Sequence, residues 1–248
     1  MITFFRKIRE RLLNSGAGRK YVLYAIGEIL LVMVGILLAL QVNNWNERKK
    51  DKAREVKILQ EISNSIDGDL KLYEDAFDWR MENKSEALDS MLAYIARRKP
   101  IPEDTFRVWY HALSVEPVLR FDEGPFEALK STGLEIIQND SLRTMINNTF
   151  QAYLPAQVMF SKMRVDRAED RIAELETILM ERRLVKKSDS EELVLRLYPK
   201  YNDMYARQEF LELVDLELEK WIAKDLRLRV IRRRMNTVKE MITNELRN

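Results

Sequence analysis

The sequence predicts an all-α protein: one N-terminal transmembrane helix continuing into an up-down bundle of long helices. Three observations predict it. Residues 21–42 read YVLYAIGEILLVMVGILLALQV, where only Glu28 and Gln41 are neither apolar nor glycine. Glycine and proline, which punctuate strands and tight turns, number only 7 and 6 in 248 residues. From Glu47 onward, apolar residues recur at three- and four-residue steps almost without pause.

The span comes first. As a helix at ~1.5 Å per residue it reaches roughly 33 Å, against a hydrocarbon core of about 30 Å. The preceding residues 1–20 hold Arg6, Lys7, Arg9, Arg11, Arg19 and Lys20 with Phe4, Phe5, Ile8, Leu12 and Leu13 near one face, the pattern of a basic amphipathic segment in the membrane interface. No small-residue pair stands where a signal peptidase would cut, so an uncleaved signal anchor is expected. Six basic residues precede the span and six follow it (Arg48, Lys49, Lys50, Lys52, Arg54, Lys57). The orientation rests on a finer point. The tail has one acid, Glu10, whereas Glu47, Asp51 and Glu55 dilute the second cluster, and long domains translocate largely regardless of charge. A cytoplasmic N-terminus with the large domain outside is the expectation.

Within the span, Glu28 is an ionisable group in apolar surroundings, where it wants a partner. Gly35 and Ala39 share its helical face and form a small-xxx-small pair that lets a second helix approach. Self-association through this face is the leading reading. A protonated or snorkelling carboxyl near the interface is the bland one, and proton translocation is the outlier. Trp45, in Asn43-Asn44-Trp45-Asn46, suits an interfacial anchor.

The soluble part, residues 43–248, is expected to open with a stalk-like helix over 47–98, its stripe made of Leu59, Ile62, Ile66, Leu70, Tyr73, Phe77, Leu88, Met91, Leu92 and Ile95. The stripe also fits a coiled coil. KPIPEDTF ends it, and the bundle occupies 102–248. Pro102 suits the first turn of a short helix through Leu113. Asp122–Pro125 belongs to a loop, and a helix over 126–132 is ended by Gly133 in a left-handed cap. Asn139 or Asp140 caps a long helix over 141–185 that Pro155 kinks, with Phe160 and Met163 among its inward residues. SDSEELVLRLYP reads as a short capped helix, and a last helix covers 207–246.

Charge and motifs exclude several chemistries. Residues 1–50 carry nine Lys/Arg and three Asp/Glu, so the remainder nets −4 in a chain of +2. The arginines 227, 229, 232, 233 and 234 form a basic cluster, yet Glu217, Glu219, Asp225 and Glu240 surround it, so a paired helix face is expected and no nucleic-acid partner. With no cysteine there are no disulfides or thiolate sites. The single histidine, His111, lacks a nucleophile-elbow partner motif and reads as a helix-face residue. Trp79, Trp109, Tyr110 and Trp221 stand at helical spacing and read as core rather than as a pocket lining. Asp122-Glu123 reads as a turn and helix-start signal rather than a cation site. No catalytic set, metal-ligand spacing or phosphate loop is found, so no catalytic residue, cofactor or metal is assigned.

MITFFRKIRERLL followed by YAIGEILLVMVGILLALQVNNWNE resembles the opening of an uncharacterised domain-of-unknown-function family of small single-pass bacterial membrane proteins. FEALKSTGLEIIQNDSLRTMINNTF is a second block similar to that family. Its span motif maps onto Gly27, Glu28, Gly35, Trp45 and Asn46. The resemblance implies a bacterial inner-membrane anchor carrying a helical domain, and no activity.

The functional expectation is a non-enzymatic, membrane-anchored helical interaction or scaffold protein of the cell envelope, self-associating in the bilayer and recruiting an unidentified envelope protein. The alternative is an extracytoplasmic sensor or ligand-binding bundle that signals through a partner.

Overall fold

The computed structural model describes residues 18–115, 118–187 and 191–247. Most of the expected amphipathic tail, residues 1–17, lies outside the described residues. The structure is 82% helical. It divides into two units, Met1–Glu55 and Val56–Asn248.

Helix α1 (Gly18–Leu72) carries the apolar run. Its residues 26–50 are all exposed, and no part of its most apolar 18-residue window, of mean hydropathy 2.5, is buried. It is long and apolar enough to cross a membrane.

The second unit is built from the remaining elements. A π-helical turn at Tyr73–Asp78 leads into α2 (Trp79–Ala96). Helix α3 (Glu103–Ser114) starts after Pro102, which sits at its N-cap, and α4 (Gly124–Thr132) ends on Gly133. There φ is +108° and ψ is 128°, so the positive φ expected at this stop is present, although ψ lies outside the left-handed helical well. Helix α5 (Asp140–Asn148) is capped by Asn139, whose Oδ1 accepts the Leu142 amide at 3.1 Å.

The long helix expected over 141–185 is interrupted and ends early. Thr149–Tyr153 widens into a second π turn before α6 (Leu154–Leu179). The cause is Pro155, which has no amide hydrogen to bond the carbonyl four residues back. From Met180 the chain turns into strand. β1 (Met180–Lys186) pairs antiparallel with β2 (Leu193–Pro199), with Leu184 opposite Leu195 and Met180 opposite Pro199. Within SDSEELVLRLYP, Leu193–Pro199 therefore forms a hairpin arm, not the expected helix. Leu193, Leu195 and Leu197 alternate at a period of two, which puts them on one face of a strand. Glu191 and Glu192, the described end of the acid-rich stretch that resembles a helix cap, precede β2. Helix α7 (Gln208–Arg247) closes the chain.

Two apolar cores hold the second unit. In the first, Ile58, Leu59, Ile62 and Ile66 of α1 meet Phe126 and Leu129 of α4, Leu142 and Ile146 of α5, and Leu228, Ile231, Met235 and Val238 of α7. In the second, Leu88 and Met91 of α2 meet Phe106 and Leu113 of α3, Ile172, Leu175 and Leu179 of α6, and Phe210 and Leu213 of α7. Helix α7 serves both: Phe210, Leu213 and Val214 face the second core, Leu228, Ile231, Met235, Val238 and Ile242 face the first, and the buried Glu217, Lys220 and Lys224 lie between the two groups. Phe160 and Met163, expected inside, are 43% and 44% exposed, as is Leu92 of the α2 stripe at 42%. Beyond the π turn the buried face of α6 is instead Ser161, Val165 and Ala168. The extra residue per turn rotates the stripe off the phase that precedes it.

Candidate functional site

Helices α2 and α3 bury Leu88, Met91, Phe106, Tyr110 and Leu113 in the second core and leave small residues along their outer seam. Ala87 and Ser90 of α2 and Ala112 of α3 lie there. Short side chains hold no bulk above the seam, so a cleft of about 580 Å³ opens between the helices. Trp79, Arg80, Asn83 and Glu86 of α2 and Val108, Trp109 and His111 of α3 complete its walls. Trp109 is braced from behind by Tyr94, edge-on with ring centroids 5.4 Å apart. Trp79 and Val108 stand 63% and 60% exposed.

A second cleft of about 310 Å³ lies on the other flank of α3, against β2. Arg107, Val108, His111, Leu195, Arg196 and Leu197 line it. Val108 and His111 belong to both clefts, so α3 forms a ridge between them. Leu197 packs partly against the second core. Further out on the same strand face, Leu195 and its cross-strand partner Leu184 are 59% and 64% exposed, and Leu193 is 58% exposed.

The charges on this ridge are mostly positive. Arg80 and Arg196 make no hydrogen bond or ion pair among the described residues. Arg107 reaches Asp104 at 3.6 Å, and its Nε is buried without a hydrogen-bond partner among the described residues. Glu86 is the one acid lining either cleft.

Beneath the ridge the interior is polar in places. Tyr110 turns inward from α3 and donates to Glu176 at 2.5 Å, and burial first, then that carboxylate, pushes its phenol well above the ordinary tyrosine range. Lys84 of α2 and Lys220 of α7 each donate to Glu217 at 3.2 Å, all three nearly inaccessible to water. These groups tie α2, α3, α6 and α7 together behind the clefts.

The residues singled out in the sequence fall elsewhere. Glu28, Gly35 and Ala39 are exposed on α1, and an added Cβ at Gly27 or Gly35 would meet nothing within 4 Å. Trp45 is 66% exposed, with the Lys49 ammonium over its ring at 5.9 Å. Of the four aromatics expected in the core, Tyr110 is buried, but Trp79 is exposed and lines the first cleft with Trp109. The reason is phase: Trp79 begins α2 just after the π turn and shares the solvent-side stripe with Asn83 and Glu86. The small residues Ala87 and Ser90, three apart on one face of α2, were the signal for a cleft.

The remaining candidates are structural. Asp122 accepts the Gly124 amide at 2.9 Å and the Ser65 hydroxyl at 2.9 Å, a turn-holding role. Asp69 accepts the Asp122 amide at 2.9 Å, and Tyr73 donates to the Arg120 carbonyl. Burial raises the Asp69 carboxyl above the usual range, and the nearby Asp122 carboxylate adds to the rise while the amide bond opposes it. In the arginine cluster Arg229 pairs with Asp225 at 2.7 Å one turn back, as expected of a paired helix face. Arg232 reaches across to Asp78 at 2.8 Å, and Arg234 bonds Thr149 at 2.8 Å. Among the described residues no group of three or more His, Cys, Asp or Glu is placed to hold a metal ion.

Comparison with known proteins bears on the α1–α2 stretch. Residues 28–97 match the Family of unknown function (DUF6090). The match begins at Glu28, takes in Gly35, Ala39 and Trp45, and ends just beyond α2. The resemblance seen in the span motif therefore holds, to a family that is uncharacterised. The second block, residues 126–150, lies beyond the matched stretch. No curated protein and no solved structure matches the chain.

Proposed function

We propose that this protein is a non-enzymatic, membrane-anchored helical interaction module of the bacterial cell envelope. It self-associates through its span and presents its large domain to a partner protein on the outer face of the inner membrane. The observation that carries the reading is the exposed apolar run of α1, with mean hydropathy 2.5 and none of it buried, in a chain whose second unit has complete cores of its own. A helix so apolar needs lipid or another helix around it. Gly35 and Ala39 leave room for close approach on the face that carries Glu28, and that face supports association over passive anchoring.

Cross-linking with mass spectrometry in native membranes tests this. Self-cross-links through the span and a reproducible protein neighbour are expected; absence of both overturns the reading. Reporter fusions at the two ends test orientation, and a C-terminal fusion active only in the cytoplasm would reverse it. The cleft beside Trp79 and Trp109 favours a second reading, a ligand-binding bundle, which a small molecule copurifying with the full chain would promote.

A further inference from the structure

We infer that the paired clefts on either side of α3 are a docking surface for an amphipathic helix of another protein, one that carries Asp or Glu beside its apolar anchors. The inference deepens the interaction-module reading and rests on it.

The shape comes from the seam. Two helices floored by Ala87, Ser90 and Ala112 and walled by Trp79 and Val108 leave a groove that accepts a third helix, whose side chains at three- and four-residue spacing fill the hollow. The surface then continues over Val108 to Leu195 and its neighbours on the hairpin. Exposed Trp79, Val108, Leu195 and Leu184 give it the apolar anchor points that dominate such contacts.

Charge selects the occupant. The chain beyond residue 50 nets −4, yet Arg80, Arg107 and Arg196 line these clefts against the single acid Glu86. A positive face on an acidic domain steers an acidic partner and rejects a basic one. Arg80 and Arg196 have no anion of their own to give up on binding.

The same charges disfavour the other occupants. In a two-fold contact a face meets its own copy, so Arg80 and Arg196, which have no anion among the described residues, would oppose the same two arginines. A lipid surface would have to accept the hairpin end. There Lys186 pairs with Glu191 at 2.7 Å and Lys187 with Glu192 at 3.1 Å, and burying those pairs is costly.

The test places a photo-cross-linking benzoylphenylalanine at Val108 in the full chain in native membranes, with the same probe at exposed Leu226 of α7 as control. Cross-linked peptides are identified by mass spectrometry. The expected adducts fall on segments of another protein in which Asp or Glu accompanies apolar residues at three- and four-residue spacing. Their yield falls at least tenfold in R80E/R196E and is restored in R80K/R196K. Adducts on lipid, on a second copy or on a basic segment overturn the proposal. So does a yield equal to that at Leu226 or unmoved by charge reversal. If the Val108 adduct fails while span self-cross-links persist, the docking surface is wrong and the anchored-module reading stands; if both fail, both are wrong.

Discussion

Gly133 carries a backbone that only glycine adopts without strain: φ is +108°, and a Cβ there would run into the Glu135 carboxylate. It ends α4 and starts the short connection that aims Asn139 at α5. G133A is expected to cost about 1–3 kcal/mol, read from chemical denaturation of the detergent-solubilised chain. Asp69 gives a pH signature at the same scale. Its carboxyl is raised in the folded protein, so the folded state binds the proton more tightly than the unfolded one. The sign follows: Asp69 favours folding most at pH below its unfolded value, and the contribution is lost as pH rises through the folded value. D69N keeps an oxygen to accept the Asp122 amide and removes the charge. The stability of D69N relative to the natural protein is therefore expected to be greatest near pH 7 and to fall as the solution is acidified through the carboxylate range. A pH-independent difference would show that Asp69 is not the group responsible.

At the scale of elements, the Lys84–Glu217–Lys220 cluster decides how α2 lies on α7. Removing the shared acceptor leaves two ammonium groups without it in a dry interior, so E217A is expected to cost about 3–5 kcal/mol. K84M/E217M replaces a buried pair with apolar volume. It is expected to be less destabilised than the sum of its single variants, and a double-mutant cycle on thermal or urea unfolding measures the coupling. The helix cap at Asn139 is a smaller device. N139A loses the bond to the Leu142 amide and is expected to cost about 1 kcal/mol in the same assay. The hairpin shows why some elements are hard to read in a sequence. SDSEELVLRLYP satisfies the pattern of a capped helix, yet its residues 193–199 also alternate as a strand does, and no local rule separates the two. The partner strand, with Leu184 opposite Leu195, settles it. The phase of α6 is similar: Pro155 is visible, but whether it bends the helix or inserts a wide turn depends on how the preceding turn packs on the first core.

At the scale of the whole molecule, α1 is long and apolar enough to cross a membrane, while the second unit has two cores of its own. A chain beginning at Lys50 is expected to remain in the supernatant after ultracentrifugation, and the full chain to sediment with membranes until detergent is added. Glu28 lies about one third of the way along the apolar run; an unpartnered acid costs on the order of 2.5–3.5 kcal/mol at a bilayer centre and less towards an end. E28L is expected to lower span self-cross-linking several-fold if Glu28 bridges copies. Unchanged yield would reduce Glu28 to an anchor-side carboxyl.

The long apolar helix, the helical class, the stop at Gly133, a cap at Asn139 or Asp140 and the long final helix were legible in the sequence, because each depends on a local cause: helical rise, apolar periodicity, backbone freedom or a side chain that bonds its own turn. The exposed Trp79, the cleft over Ala87 and Ala112, the hairpin and the buried Lys84–Glu217 pair were not. Those depend on which face of one element meets which face of another, and residues 133 positions apart in sequence become neighbours only when α7 lies down beside α2.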